Sequence, residues 1–140
     1  MKNKFFAILA AITLSIFFAD LSAAEKKPAP DTPSVAVKTF FAAMVKGDFA
    51  KAKSLIEIKE LAQMLTGIEQ MIKEEPEIKN DILKDTAKLF DPMSKAKIVS
   101  EKITGDTAEV VISYIENEKT EQDTIKLKKV SGKWKLVEYQ

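Results

Sequence analysis

The sequence predicts an α+β domain in which N-terminal helices pack on one face of an antiparallel sheet. Three observations support this fold class. Between Thr32 and Phe90, apolar residues recur every three or four positions, as on one face of a helix. After Ser94 they alternate with polar residues, as in strands with one buried face. Turn signals at Gly105-Asp106 and Ser131-Gly132 divide this second half into antiparallel strands.

Residues 1–24 have the pattern of a cleavable secretory signal peptide. Lys2 and Lys4 precede an apolar run from Phe5 to Ala19, which is shorter than the roughly 20 residues of a membrane-spanning helix. We expect cleavage after Ala24, then a disordered, proline-containing leader over residues 25–31 and a single domain over 32–140. The chain has no cysteine to carry a lipid. We therefore expect a periplasmic or secreted protein with no membrane span after cleavage.

The basic and nucleophilic residue types exclude several classes of function. Lysine supplies all 22 basic residues, and the chain contains no arginine, histidine or cysteine. A Ser-His-Asp or Cys-His nucleophile system, a thiol redox site and an ordinary zinc site all need histidine or cysteine. We predict no metal ion and no cofactor. The net charge of +1 gives no reason to expect nucleic acid as a partner.

The first helices are predicted from their ends. Thr32 is a good N-cap and Pro33 suits the first helical position. Gly47 supplies the left-handed residue that ends this helix, and Asp48 caps a second helix from Phe49 to about Ile56. The apolar stripe of the first helix consists of Val37, Phe40, Phe41 and Met44.

Two further helices are predicted before the strands begin. The first covers Glu57 to Lys73 and ends before Pro76, which cannot continue it. The second covers Glu77 to Phe90 and is expected to stop at Asp91-Pro92. Their apolar positions are Ile58, Leu61, Leu65, Ile68 and Ile72 in the first, and Ile78, Ile82, Leu83, Leu89 and Phe90 in the second.

Turn lengths predict the register of the strands. We expect two-residue turns at Gly105-Asp106 and Ser131-Gly132, and a four-residue loop over Asn117 to Thr120. The predicted partners are Ile103 with Ala108, Val99 with Ile112, Ile112 with Ile125, Val110 with Leu127, Trp134 with Lys129, and Leu136 with Leu127.

These registers assign the side chains to two faces of the sheet. The face expected under the helices carries Val99, Ile103, Val110, Ile112, Ile125, Leu127, Trp134 and Leu136. The outer face carries Lys126, Lys128, Lys133, Lys135, the cross-strand pair Lys102 and Glu109, and also Val111, Ile115, Val137 and Tyr139.

Three stretches resemble nuclear-transport-factor-2-like domains, which have a cystatin-like fold. They are residues 32–53 with Gly47-Asp48-Phe49, residues 105–110, and residues 131–135 with Gly132-Lys133-Trp134. More narrowly, the chain resembles small exported bacterial proteins of unknown function in that superfamily, many of them lipoproteins. The resemblance implies a fold in which the helices pack on the concave face of a curved, cone-shaped antiparallel sheet, and it often implies a pocket and dimers. It transfers no activity, because the Asp and Tyr of the ketosteroid-isomerase branch have no match by position.

Two sets of residues are candidate sites. Five residues on the concave face are interpreted either as a pocket for a small apolar ligand or, as we favour, as ordinary core: Phe41, Met44, Ile112, Tyr114 and Trp134. Eight outer-face residues are interpreted as a surface for a protein partner or a homodimer, or as a solvated face: Val111, Ile115, Lys126, Lys128, Lys133, Lys135, Val137 and Tyr139.

No residue is assigned a catalytic role, and the leading hypothesis is a non-enzymatic binding or interaction module. One alternative is a small isomerase- or dehydratase-like enzyme that uses an interior carboxylate and a tyrosine. The other is a structural homodimer.

Overall fold

The computed structural model describes residues 31–140, and the predicted signal peptide and the leader up to Pro30 lie outside them. Four helices precede a four-stranded antiparallel sheet of order β1-β2-β3-β4, so the α+β prediction is confirmed. The elements are α1 (Pro33–Lys46), α2 (Phe49–Ser54), α3 (Lys59–Glu74), a 3-10 turn (Pro76–Ile78), α4 (Lys79–Ser94), β1 (Lys97–Thr104), β2 (Thr107–Glu116), β3 (Lys119–Val130) and β4 (Lys133–Tyr139).

The corner between α1 and α2 forms as predicted. The Thr32 hydroxyl accepts a hydrogen bond from the Val35 amide at 3.3 Å and so caps α1. Gly47 ends α1 with a φ of 71°, a conformation that favours glycine. The Asp48 carboxylate then accepts from the Lys51 amide at 3.1 Å and starts α2.

The core lies between α1 and the sheet. Phe40 and Phe41 meet edge to face with centroids 5.3 Å apart, and Phe90 of α4 packs against both rings. Helix α4 therefore docks on α1 through aromatic contacts. The core also includes Val37, Met44, Val110, Ile112, Ile125, Leu127, Trp134 and Leu136, none more than 5% exposed.

Two helix ends differ from the prediction. Helix α4 continues through Pro92 to Ser94. Near the end of a helix, proline removes only one hydrogen bond, and the packing of Met93 against the core offsets this loss. Helix α2 stops at Ser54, short of the predicted Ile56. The next residues pair with β4 instead, where the Glu57 amide donates to the Leu136 carbonyl at 2.7 Å.

Next to their turns the two outer hairpins have the predicted registers, and the central hairpin does not; the predicted pair of Val99 with Ile112 was wrong. Ile103 pairs with Ala108, and Leu127 pairs with Leu136. Between β2 and β3 the turn is only Asn117 and Glu118, both with positive φ, so Val110 pairs with Ile125 rather than with Leu127. The prediction of a four-residue loop was wrong. Glutamate rarely occupies a left-handed turn position, so Asn117-Glu118 gave no signal of a two-residue turn. The shift is two residues, which leaves the side chains of β2 and β3 on their predicted faces.

Irregularities in the two edge strands also correct the predicted faces. In β1 the register shifts between Ile98 and Ser100, so Ile98 pairs with Ile112 and Val99 is half exposed. Ile103 keeps its predicted partner but is also half exposed. Ile103 is exposed because it lies farther along the edge strand than the contact between α1 and β1. That contact is at Glu101, whose carboxylate accepts a hydrogen bond from the Ser34 amide at 2.7 Å.

In β4 the register shifts so that Lys126 pairs with Glu138 and Ile125 pairs with Tyr139. Val137 is the additional residue, and it stays on the outer face. Tyr139 therefore shares the face of the buried Ile125, and its placement on the outer face was wrong.

Candidate functional site

The residues predicted for an interior pocket are mostly part of the core. Phe41, Met44, Ile112 and Trp134 are buried between α1 and the sheet. Tyr114 is half buried and lies at the end of the same sheet face. Tyr114 lines one of the two grooves described below, and the other four residues line neither of them.

The outer face of the sheet carries a row of alternating charges. Strand pairing sets Lys102 of β1 beside Glu109 of β2, Glu109 beside Lys126 of β3, and Lys126 beside Glu138 of β4. The Lys126 ammonium lies 3.0 Å from a Glu138 carboxylate oxygen. Across the four strands the row reads positive, negative, positive, negative. Most of its charge is thus balanced within the face.

The next row on this face carries less negative charge. It consists of Thr104, Thr107, Lys128 and Lys135, one from each strand in order. Lys135 lies 3.0 Å from a carboxylate oxygen of Glu57, in the segment between α2 and α3. Lys128 and Lys133 form no ion pair with any residue in the described part of the chain. These two lysines supply unbalanced positive charge at this end of the face.

A groove of about 470 Å³ runs along these two rows. Its lining contains two threonines, three lysines, one glutamate and three apolar residues: Thr104, Thr107, Lys102, Lys126, Lys128, Glu109, Ala108, Leu127 and Val137. Three members of the predicted interaction surface, Lys126, Lys128 and Val137, are therefore together. Val111 and Ile115 lie toward the other end of β2, and Ile115 lines a separate groove beside Tyr114.

A second cluster joins both tyrosines of the chain to one carboxylate. The Tyr114 hydroxyl donates to Asp123 Oδ2 at 2.6 Å, and the Tyr139 hydroxyl donates to the same oxygen. The Tyr139 ring also meets Phe41 edge to face, with centroids 6.1 Å apart. The register shift in β4 produces this cluster by turning Tyr139 toward the core face. No residue type in the sequence signals that shift, so the cluster was missed.

The carboxylate keeps both hydroxyls protonated. Hydrogen bonding to Asp123, followed by burial, raises the pKa of Tyr114 to about 12. Burial, followed by hydrogen bonding to Asp123, raises the pKa of Tyr139 far above its usual value. At neutral pH both tyrosines are therefore donors, and Asp123 is their shared acceptor.

The cluster contains the residue types that the enzyme hypothesis requires, a carboxylate and a tyrosine. However, Tyr114 can donate to a substrate oxygen only after it leaves Asp123. The groove of about 460 Å³ beside Tyr114 also contains Asp91 and Lys95, which pair with each other at 2.7 Å. Over residues 31–140, no three acidic side chains come together as a metal site requires.

Comparison with models of protein families shows which family the chain belongs to. Residues 26–137 match the model described as Domain of unknown function (DUF4878). The chain belongs to this family. The DUF4878 match extends into β4, so it includes α1, the core and the outer sheet face. Searches of curated proteins and of solved structures found no match to this DUF4878 chain. Among residues 31–140 of the chain, no helix is long and apolar enough to cross a bilayer.

Proposed function

We propose that this DUF4878 protein is a non-enzymatic interaction module that binds a protein partner through the outer face of its sheet. One observation carries the proposal. The groove of about 470 Å³ lies on the outer face, beside lysines and Val137, whereas four of the five predicted pocket residues are buried in the core. The signal-peptide pattern supports action in the periplasm or outside the cell.

We also propose that the fold belongs to the nuclear-transport-factor-2-like superfamily. The capped α1, the Gly47-Asp48 corner and the C-terminal four-stranded meander support this assignment. Within residues 31–140, the helices pack on one face of the sheet and leave its outer face open. This arrangement agrees with a functional surface outside the core.

The charges of the outer face define the partner. Lys102 and Lys126 lie beside Glu109 and Glu138, so they add little net attraction. Lys128 and Lys133 lack such partners within the described residues and attract acidic groups. The partner therefore presents acidic side chains to these two lysines and an apolar side chain to Val137.

Photo-cross-linking in the producing cell tests this proposal. A photoreactive amino acid replaces Val137, and cross-linked products are identified by mass spectrometry. We expect a defined protein product that disappears in Lys128→Glu/Lys133→Glu. The matched control is Lys84→Glu/Lys88→Glu, which reverses two exposed lysines of α4 and should leave the product unchanged. Equal cross-linking in both double variants contradicts the assignment of the outer face.

The alternating row favours one specific alternative, a homodimer. A second copy, rotated by half a turn about an axis parallel to the strands between β2 and β3, sets Lys102 against Glu138 and Glu109 against Lys126. The second row then sets its lysines against threonines of the other copy. The row is thus complementary to itself under two-fold symmetry, which is the requirement for an isologous interface.

Sedimentation velocity separates the homodimer from binding to another protein. Glu109→Lys breaks the alternation and should yield monomers. The exchange Glu109→Lys/Lys126→Glu restores opposite charges across the same axis and should restore the dimer. A monomeric wild-type protein excludes the homodimer and leaves the binding of another partner intact.

A further inference from the structure

Helix α3 has a wider apolar arc than the other residues of the described part of the chain, 31–140, cover. Leu65 is fully buried, and Leu61, Ile68 and Ile72 pack partly against the core. Met64 and Met71 are 49% and 52% exposed. At 3.6 residues per turn, both methionines lie next to Ile68 on one flank of the helix. We call the exposed flank with Met64, Gly67 and Met71 the methionine flank.

The opposite edge of α3 is the one that is anchored. The Lys53 ammonium of α2 forms an ion pair with Glu69 and lies 3.5 Å from the Thr66 hydroxyl. Thr66 and Glu69 lie on the edge of α3 that faces away from the methionines. The contacts with α2 therefore hold the helix in place and leave the methionine flank at the surface.

Gly67 lies in the interior of α3, between the two methionines. A glycine here destabilises the helix relative to alanine. A Cβ at this position would meet no atom of the described chain within 4 Å, and the backbone is not left-handed. Neither packing nor backbone conformation within the domain requires glycine. A helix approaching from outside does benefit, because a small residue allows the two backbones to come close.

The charged residues of α3 determine which kind of helix can pack on the methionine flank. Around the helix axis, Glu60 and Glu74 lie next to Gly67, on the border of the methionine flank. The two lysines of α3, Lys59 and Lys73, lie farther round the helix, toward the anchored edge. If α3 packed antiparallel on α3 of a second copy about Gly67, Glu60 of one copy would meet Glu74 of the other. This repulsion disfavours a second copy and favours a partner with basic side chains.

We propose that the methionine flank is a docking face for a cationic amphipathic helix, that is, a helix with an apolar stripe bordered by lysine or arginine. The helix crosses α3 at Gly67, with its apolar stripe on Met64 and Met71 and its basic side chains toward Glu60 and Glu74. Methionine suits this role because its flexible side chain adapts to different apolar surfaces. This face is separate from the outer sheet face and does not depend on the function proposed for it.

Fluorescence anisotropy tests the proposal with two probes: a labelled amphipathic helical peptide of leucine and lysine, and its counterpart of leucine and glutamate. The leucine/lysine peptide should bind, and the leucine/glutamate peptide should not. Met64→Glu/Met71→Glu should weaken binding of the first peptide by about tenfold or more, because it removes both apolar contacts. Equal binding of the two peptides overturns the proposal.

Gly67→Ala separates docking from folding. It should raise the melting temperature, because alanine favours the helix, and yet weaken peptide binding, because the methyl group holds the partner away. The control is Leu89→Glu, which changes an apolar side chain on α4 that is 60% exposed and should leave binding unchanged. Unchanged binding in Gly67→Ala, or equal weakening in Leu89→Glu, contradicts the proposal. A dimer of the protein alone that Gly67→Leu abolishes would assign the face to a second copy and overturn it.

Discussion

Helices α1 and α3 have similar lengths, 14 and 16 residues, but very different surroundings. Seven residues of α1 are buried, and only Leu65 of α3 is. Helix α1 lies between the sheet and α4, whereas α3 packs along one edge on the short α2. Both sequences show a helical apolar pattern. That pattern predicts a helix and its inner face, but the position of the helix in the layers determines how much of the face is covered.

The largest expected effect comes from the aromatic contact in the covered helix. Phe40 is 3% exposed and packs against Phe41 and Phe90. Phe40→Ala should reduce the free energy of unfolding by about 3–5 kcal/mol, because it leaves a cavity that the core fills poorly. Urea denaturation of purified protein measures this loss.

The matched substitution in α3 is Met64→Ala, at a position that is half exposed. It should change the free energy of unfolding by no more than about 1 kcal/mol. Similar losses for the two variants would contradict the difference in burial on which the comparison depends.

The next effect concerns the corner that joins α1 to the peripheral helices. A Cβ at Gly47 would overlap Leu83 Cδ2 of α4, and the glycine has a φ of 71°. Gly47→Ala should therefore destabilise the protein by about 1–3 kcal/mol, from backbone strain together with displacement of Leu83.

Gly132→Ala isolates the backbone contribution. Gly132 has a φ of 79°, but a Cβ there would meet nothing within 4 Å. Its cost in thermal or urea denaturation should be smaller than that of Gly47→Ala, at about 1–2 kcal/mol. Equal costs would show that Leu83 moves aside freely and that α4 packs loosely on the corner.

Features that depend on one or two local residues could be predicted from the sequence. The cap at Thr32, the left-handed Gly47 and the turn at Gly132 each follow from the chemistry of the residue itself. Alternation placed most strand residues on the correct face, and the two-residue error between β2 and β3 did not change those faces.

The register shifts near Val99 and Val137 could not be predicted. Neither position carries a glycine or another residue typical of a bulge, and such shifts depend on how the whole sheet twists under the helices. The shift near Val137 decides the candidate sites. It places Tyr139 beside Tyr114 and Asp123, and it leaves Val137 in the outer groove.

The Tyr114–Asp123–Tyr139 cluster lies where the covered core gives way to solvent, and it predicts a pH dependence. Tyrosine in the unfolded chain ionises near its ordinary pKa of 10.0, whereas Asp123 and burial raise the pKa of Tyr114 to about 12. A raised pKa favours the neutral hydroxyl in the folded state. The stabilisation is therefore complete below pH 10 and is lost as the pH rises toward about 12.

Absorbance titration measures this directly, because the chain has only these two tyrosines. The native protein should titrate above pH 10, and Asp123→Asn should move the midpoint toward 10 because the hydrogen bonds to the carboxylate are gone. Asp91→Asn, which removes a carboxylate paired with Lys95, should leave the curve unchanged. Identical curves for wild type and Asp123→Asn would contradict the cluster.

The smallest effect concerns the contact that holds α3 to α2. The ion pair between Lys53 and Glu69 is partly exposed, so its loss in Glu69→Gln should cost at most about 1 kcal/mol. The effect should be local. Hydrogen exchange of α3 amides should become faster while exchange of α1 amides stays unchanged, because α1 opens only when the core unfolds. Asp91→Asn removes a pair within α4 and should leave α3 exchange as it was. Equal acceleration in α1 and α3 would show that the two helices open together, and that their difference in burial does not divide the domain into parts of different stability.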